Sequence, residues 1–132
     1  MSVKQVVSLT TLSTANEQSG VSPITVTTSG NSREYRELGS FNRAIVFLDV
    51  SAASGSTPSL TVLLQVQDPQ SLKWSQAAAF SAQTGATGGT PITPLTLELY
   101  GLNYRLAWTV SGGSPSFTFS CNAVVGSEEP VL

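Results

Sequence analysis

Few side chains in this sequence could do acid–base or nucleophilic chemistry. The 132 residues include eight Asp or Glu, one Cys and no His. The absence of His removes the commonest general base, the Ser-His-Asp and Cys-His arrangements, and nearly every kind of zinc site. Asp49 and Glu98 could face each other across a cleft as a glycosidase pair. Solvent-facing strand positions explain both carboxylates more simply, so we predict that the chain is not an enzyme.

Two other features resemble functional sites only superficially. Gly85–Thr90 is rich in glycine like a phosphate-binding loop, but it lacks the Lys-Ser/Thr ending and a following helix. We interpret it as a flexible hairpin loop. Cys121 ends the alternating run Phe117–Cys121, where a lone Cys is typically a small buried hydrophobe and not a reactive thiol. The sequence also lacks a calcium-loop pattern, and we therefore expect neither a metal nor a cofactor.

The charge content argues against a polyanionic partner. Charged residues make up 11% of the chain, less than half the usual ~25%, and the net charge is −2. Arg33, Arg36 and Arg43 are the only local concentration of basic residues, and Glu34 and Glu37 are interleaved with them. We therefore predict no nucleic-acid binding. Since the sequence has neither a run of ~18 apolar residues nor a signal peptide, we expect no membrane association and assembly inside a cell.

Apolar and polar residues alternate with a period of two through the middle and end of the chain. The clearest runs are Ala44–Val50, Ser59–Gln67, Leu95–Leu99, Tyr104–Ser111 and Phe117–Ala123. Such runs, with turns between them, predict an all-β, antiparallel β-sandwich of jelly-roll type with roughly six to eight strands. The expected core residues are Leu60, Val62, Leu64, Val66, Leu106, Trp108, Val110, Phe117, Phe119 and Cys121.

Segments that contain glycine and proline separate these runs. They are Ser54–Pro58, Asp68–Ser71, Gly85–Pro94 and Gly112–Pro115. Ser54–Val62 also echoes Ser111–Phe119, which we interpret as two similar hairpins, one per sheet or per half of the sandwich. Chance similarity between loops of Ser, Gly and Pro is the alternative. Ser75–Phe80 is compatible with a short helix or with an edge strand.

The ends of the chain lack the clear pattern of the middle. We predict one domain over residues 1–132, with a possible N-terminal arm over about residues 1–12 and a C-terminal tail over residues 126–132. Val3–Leu9 and Ile24–Val26 could instead be edge strands of the sandwich. An arm that becomes ordered only on docking could span a large surface of a partner.

The candidate interface side chains combine positive charge with aromatic rings, the types that most often anchor protein interfaces. They are Arg33, Tyr35, Arg36, Arg43 and Trp74. Most of them lie before Ala44, where periodicity is weak, so we expect residues 1–43 to contribute more to partner contacts than to the core. Trp74 follows a turn and could instead form, with nearby Tyr residues such as Tyr100 and Tyr104, the platform of a carbohydrate-binding site.

Four short motifs lie between about Ala44 and Ala123. They are Thr57–Val62, Gln65–Asp68 running on to Trp74, Tyr104–Val110, and Gly113–Phe119. With these motifs the chain resembles small β-sandwich structural proteins of tailed bacteriophages. That family often has Asp-Gly before the Trp, whereas this chain has Gln70–Lys73 there.

The resemblance implies a virion component, most specifically a head decoration (cement) protein. Its partner would then be the major capsid protein, which it would clamp as a homotrimer at three-fold positions. It would lie on the capsid surface after assembly in the host cytoplasm. A neck or tail component is the alternative within the virion, and a carbohydrate-binding β-sandwich module is the alternative from another class.

Overall fold

The computed structural model describes residues 3–10, 23–87 and 91–127. These residues form seven strands and one short 3-10 helix at Arg36–Ser40. The strands are β1 (Val3–Ser8), β2 (Ile24–Val26), β3 (Gly30–Tyr35), β4 (Arg43–Gln67), β5 (Trp74–Ala79), β6 (Leu95–Glu98) and β7 (Tyr104–Ser127). All pairings are antiparallel, which confirms the predicted all-β fold class. No helix in these three segments is long and apolar enough to cross a membrane.

Two long strands organise the molecule. β4 and β7, of 25 and 24 residues, pair with each other from Arg43 opposite Gly126 to Val66 opposite Tyr104. The ribbon they form folds back on itself, so each half lies in a different layer. One layer has the order β6, β4, β7 and β1, with β2 also on β7; the other has the order β5, β4, β7 and β3. This wrapping of a ribbon into two sheets is the jelly-roll arrangement.

The core lies between the two layers, as the period-two pattern predicts. All ten expected core residues belong to it or pack against it, with Val66 and Val110 only partly buried. Trp108 and Phe119 come from opposite halves of β7, and their rings meet edge to face with centroids 5.8 Å apart. This contact joins the layers, and fully burying side chains of this kind contributes about 1.5–3 kcal/mol each.

The segments predicted to separate strands at Ser54–Pro58 and Gly112–Pro115 instead lie inside β4 and β7. Gly55 has φ of 120° and Gly112 has φ of 117°, a region that glycine enters without steric cost. These residues bend the ribbon while pairing continues, because Ser54 lies opposite Ser116 on the far side of the bend. Local bulges of this kind turn a strand without ending it.

The internal repeat has a structural basis that differs from the predicted pair of hairpins. The two copies pair with each other to form a single bend. A Cβ atom on Gly55 would lie 2.9 Å from the Cα of Pro115, and one on Gly112 would lie 2.9 Å from the Cα of Pro58. Because each glycine faces the equivalent atom of the other copy, a local two-fold axis relates the two halves of the bend.

The remaining segments resolve the alternatives left open by the sequence. Ser75–Phe80 is an edge strand over most of its length, since β5 covers Trp74–Ala79. In the Gly85–Thr90 segment, the backbone N–H of Thr87 donates to Val50 O at 2.8 Å, and the Val50 N–H donates to Thr87 Oγ1 at 3.0 Å. Residues 88–90 of that segment lie outside the described residues.

The N-terminal residues belong to the sandwich. β1 pairs with β7, and Val7 and Leu9 are buried in the core. In residues 3–10 the chain therefore follows the edge-strand alternative and not the arm, and residues 11–12 lie outside the described part. Ile24, Val26, Tyr35 and Leu38 are buried as well, so residues 1–43 contribute more to the core than expected. Of the predicted tail, Gly126 and Ser127 belong to β7, and residues 128–132 are not described.

Candidate interaction surface

Charged side chains collect at one end of the sandwich, which we call the charged end. It comprises the turns over residues 36–42, 68–73 and 99–103 with the strand residues beside them. Lys4, Arg43 and Glu98 share the last transverse row of one layer through Gly126. The last row of the other layer pairs Gln67 with Trp74 and Tyr104 with Tyr35.

All six basic residues of the chain lie at this end. They are Lys4, Arg33, Arg36, Arg43, Lys73 and Arg105, and they are accompanied by Glu34, Glu37, Asp68 and Glu98. The opposite end, which we call the hydroxyl end, carries the bends at Ser54–Ser59 and Ser111–Ser116, which contain only Ser, Thr, Gly and Pro. Asp49 is the one described charged residue outside the charged end. The surface is therefore polarised along the length of the strands.

Tyr35 is not available as an interface anchor. Its side chain is fully buried, because it occupies an inward position of β3 opposite Tyr104. The charged residues around it in the sequence point elsewhere. The Arg33 guanidinium lies 4.0 Å from the centre of the Tyr35 ring and donates to Glu37 Oε2 at 3.1 Å. The Tyr35 ring therefore packs against the Arg33 guanidinium, and it is not itself exposed to a partner.

Arg36 and Arg43 both point to solvent, on different parts of the charged end. The Arg36 side chain is 76% exposed and lies 3.9 Å from Glu34 Oε1, a separation at which a surface ion pair contributes little. Arg43 is exposed and lines a groove of about 540 Å³ with Lys4 and Glu98. Both positions are compatible with the predicted role in an interface.

Trp74 lies beside a cation on the outer face of the second layer. The Arg105 guanidinium is 4.3 Å from the centre of the Trp74 ring, a cation–π contact. Arg105 Nε also donates to Gln65 Oε1 at 2.6 Å, which holds the guanidinium in place. Trp74 is half-buried, so one face of its ring is already covered by protein.

A buried amide connects the turns of the charged end. Asn103 Nδ2 donates to Glu34 Oε1 at 2.8 Å and to Gln67 Oε1 at 3.0 Å. Gln67 in turn donates from Nε2 to the carbonyl of Leu72 at 3.1 Å. The bridge links β3, the β4–β5 turn and the β6–β7 turn. The sequence does not predict this hydrogen-bonded bridge, because Asn is common in turns of every kind.

Three large apolar side chains protrude from these turns. Leu72 is 61% exposed, Tyr100 is 87% exposed and Leu102 is 60% exposed; we call them the loop trio. The Tyr100 hydroxyl donates to the Glu98 carboxylate, and this hydrogen bond raises the pKa of Tyr100 above its usual value. The sequence did not single out Leu72 or Leu102, because turn residues show no periodicity.

The structure separates the two carboxylates considered as a glycosidase pair. Glu98 lies opposite Arg43, six residues along β4 from Asp49. At ~3.3 Å per strand residue the two positions are about 20 Å apart, too far for either glycosidase geometry. The described residues contain no group of three His, Cys, Asp or Glu that could hold a metal ion. Cys121 is buried, and burial raises the pKa of its thiol, so its role is in packing.

Comparison with known proteins identifies the fold. No family model and no curated protein matches the chain. Among solved structures, the chain is similar to the SPBc2 prophage-derived protein YomS, with a TM-score of 0.54 and 10% identity over 96% of each chain. It is also similar to the Yersinia pseudotuberculosis-derived mitogen YPM, with a TM-score of 0.48 and 14% identity over 84% of this chain and 88% of the other. At these identities the likeness to YomS shows that this jelly-roll sandwich also occurs in a prophage-derived protein.

Proposed function

We propose that the chain is a virion structural protein of a tailed bacteriophage, and more specifically a capsid decoration protein. It binds the outside of the shell made by the major capsid protein and acts as a homotrimer at the capsid surface. The polarised surface is the observation that carries this proposal. One end of the sandwich presents all the basic residues and the loop trio, while the other presents small hydroxyl-bearing residues.

A polarised sandwich suits a protein that docks by one end. The two layers share one core, and the hydrogen bonds of Asn103 to Glu34 and Gln67 hold the turns of the docking end in place. Rigidity lowers the conformational entropy lost on binding. A ligand that binds only the assembled shell stabilises it by mass action, which is the physical basis of a cement function. The resemblance to phage structural proteins and the fold shared with a prophage-derived protein support this class.

Electron microscopy tests the proposal directly. Purified protein would be added to empty shells assembled from the major capsid protein encoded in the same genome. We expect added density distributed over the whole head, in clusters of three at the three-fold positions. Density confined to one vertex would instead indicate a neck or tail component. Shells that show no added density at saturating protein would contradict the proposal.

A carbohydrate-binding function is the second candidate. The observation that favours it is the cluster of Trp74, Arg105 and Gln65 on one outer face, since an aromatic ring beside polar side chains is typical of ligand sites. A glycan array with the wild type and Trp74→Ala tests it. Binding that is lost in Trp74→Ala would support this function, and an array without binding would remove it.

A further inference from the structure

We propose that the loop trio forms the anchor of a docking surface for a protein partner with an apolar recess rimmed by carboxylates. The identity of that partner as the capsid shell rests on the proposed function. The docking chemistry itself is inferred from Leu72, Tyr100 and Leu102 and from the charges around them.

The trio lies on two neighbouring turns. The backbone N–H of Gln67 donates to Asn103 O at 3.0 Å, and its side chain donates to Leu72 O at 3.1 Å. Leu72 and Asn103, the chain neighbour of Leu102, are therefore both hydrogen-bonded to Gln67 of β4. Side chains of this size that are more than half exposed gain little from burial in the fold. Apolar and aromatic groups ringed by polar residues are the usual composition of an interface centre.

The backbone at Leu72 is a second, independent observation. Leu72 has φ of 66°, a left-handed conformation that disfavours residues other than Gly and Asn. The turn that imposes this conformation is built by Asp68, whose carboxylate accepts from the Gln70 N–H at 2.9 Å and from Ser71 Oγ at 3.0 Å. These hydrogen bonds also lower the pKa of Asp68. The exposed Leu72 side chain gains little from burial to offset this backbone strain, and such outliers often mark functional sites.

The second turn is fixed as firmly as the first. The backbone N–H of Gly101 donates to Tyr104 Oη at 2.8 Å. A Cβ atom on Gly39 would overlap the carbonyl of Leu102, so the turn packs directly on the backbone of the 3-10 helix. Tyr100 and Leu102 are therefore presented on a preorganised backbone, which reduces the entropy lost on docking.

Charge selects the class of partner. Among the described residues, the charged end holds six basic and four acidic side chains, so this part of it complements an acidic protein surface. Two charged ends with the same excess of positive charge would repel each other, which disfavours a second copy as the occupant. The excess of two positive charges (six basic against four acidic) is smaller than the basic patch that nucleic-acid binding normally shows.

Binding of variants to purified empty shells of the same genome's major capsid protein tests the inference. Leu72→Asn, Tyr100→Ser and Leu102→Ser should each weaken binding by about tenfold or more, the effect of losing an interface anchor. Arg36→Glu and Lys73→Glu should weaken it as well. Phe47→Ser is the matched control, because Phe47 is 42% exposed on the outer face of a layer, away from the charged end. It should bind like the wild type.

The possible outcomes are distinguishable. Shells that do not bind the wild type would overturn the proposed function and this inference with it. Wild-type binding that the trio variants retain would overturn the inference alone. It would also be overturned if the variants changed the sedimentation of the free protein, which would indicate a second copy. Binding to duplex DNA and to vesicles of phosphatidylcholine and phosphatidylglycerol would be measured as well. If the trio variants lost that binding but still bound shells, the inference would also be overturned.

Discussion

At the scale of single residues, the positive φ of Leu72 indicates a conformational cost in the β4–β5 turn. Leu102 is equally exposed on the neighbouring turn, but its φ is not positive. Comparing the same substitution at the two leucines therefore separates the effect of exposure on stability from the effect of backbone strain.

We expect Leu72→Asn to raise the free energy of unfolding by about 0.5–1 kcal/mol, because Asn tolerates the left-handed conformation better than Leu. Leu102→Asn is the control and should not raise it. Urea denaturation monitored by Trp fluorescence measures both. A loss of stability in Leu72→Asn would mean that the Leu side chain has a packing role.

Tyr100 and Glu98 form a hydrogen-bonded pair on the protein surface. The Tyr100 hydroxyl donates to the Glu98 carboxylate, which favours the neutral phenol and raises its pKa. Glu98→Gln removes the negative charge, so the pKa of Tyr100 should fall towards 10.0. Absorbance titration at alkaline pH measures this, with a Tyr100→Phe variant to assign the transition. An unchanged Tyr100 transition in Glu98→Gln would show that the pair does not form in solution.

At the scale of elements, the bend in the β4–β7 ribbon depends on two glycines. Gly112 combines φ of 117° with a site where a Cβ atom would lie 2.8 Å from the carbonyl oxygen of Thr57. An added side chain at Gly112 would therefore be disfavoured both by the backbone φ and by overlap with Thr57. The backbone of the opposite strand cannot move away without losing its own pairing.

We expect Gly112→Ala to lower the free energy of unfolding by about 2–4 kcal/mol, through backbone strain and contact with Thr57. Gly85→Ala is the matched control, since no atom lies within 4 Å of the added Cβ and φ there is not positive. Its effect should stay within about 0.5 kcal/mol. Thermal denaturation of both variants makes the comparison. Equal melting temperatures would show that the ribbon bend can relax.

At the scale of the whole molecule, the separation of charge from the hydroxyl end makes binding and stability respond differently to salt. The core that joins the layers is apolar, whereas the charged end is exposed. Salt screens exposed charges over a Debye length of ~10 Å at 0.1 M and leaves apolar burial largely unaffected.

Raising the salt concentration from 50 to 500 mM should therefore weaken binding to capsid shells several-fold. The melting temperature of the free protein should change little over the same range. Cosedimentation with shells and calorimetry of the free protein measure the two responses. Binding that strengthens with salt would point to an apolar surface elsewhere on the molecule as the docking site.

The sequence by itself determined the all-β class and the part of the core that follows Ala44, because the period of two is a local property that depends only on which residues are apolar. Leu60, Phe117 and Cys121 could be assigned to the interior for that reason. The absence of His likewise excluded the commonest catalytic arrangements without any structure.

Only the tertiary structure decided where the chain bends, which aromatic residues are exposed and which charges are neighbours. Gly55 and Gly112 look like turn residues in sequence, yet they bend a continuous ribbon, because only pairing with the opposite strand distinguishes a bend from a turn. Tyr35 stands among charged residues but faces inward, since strand register overrides the character of its neighbours. Lys4 and Arg105 share one end of the molecule because antiparallel pairing brings distant strand ends together, a consequence of register that no local pattern encodes.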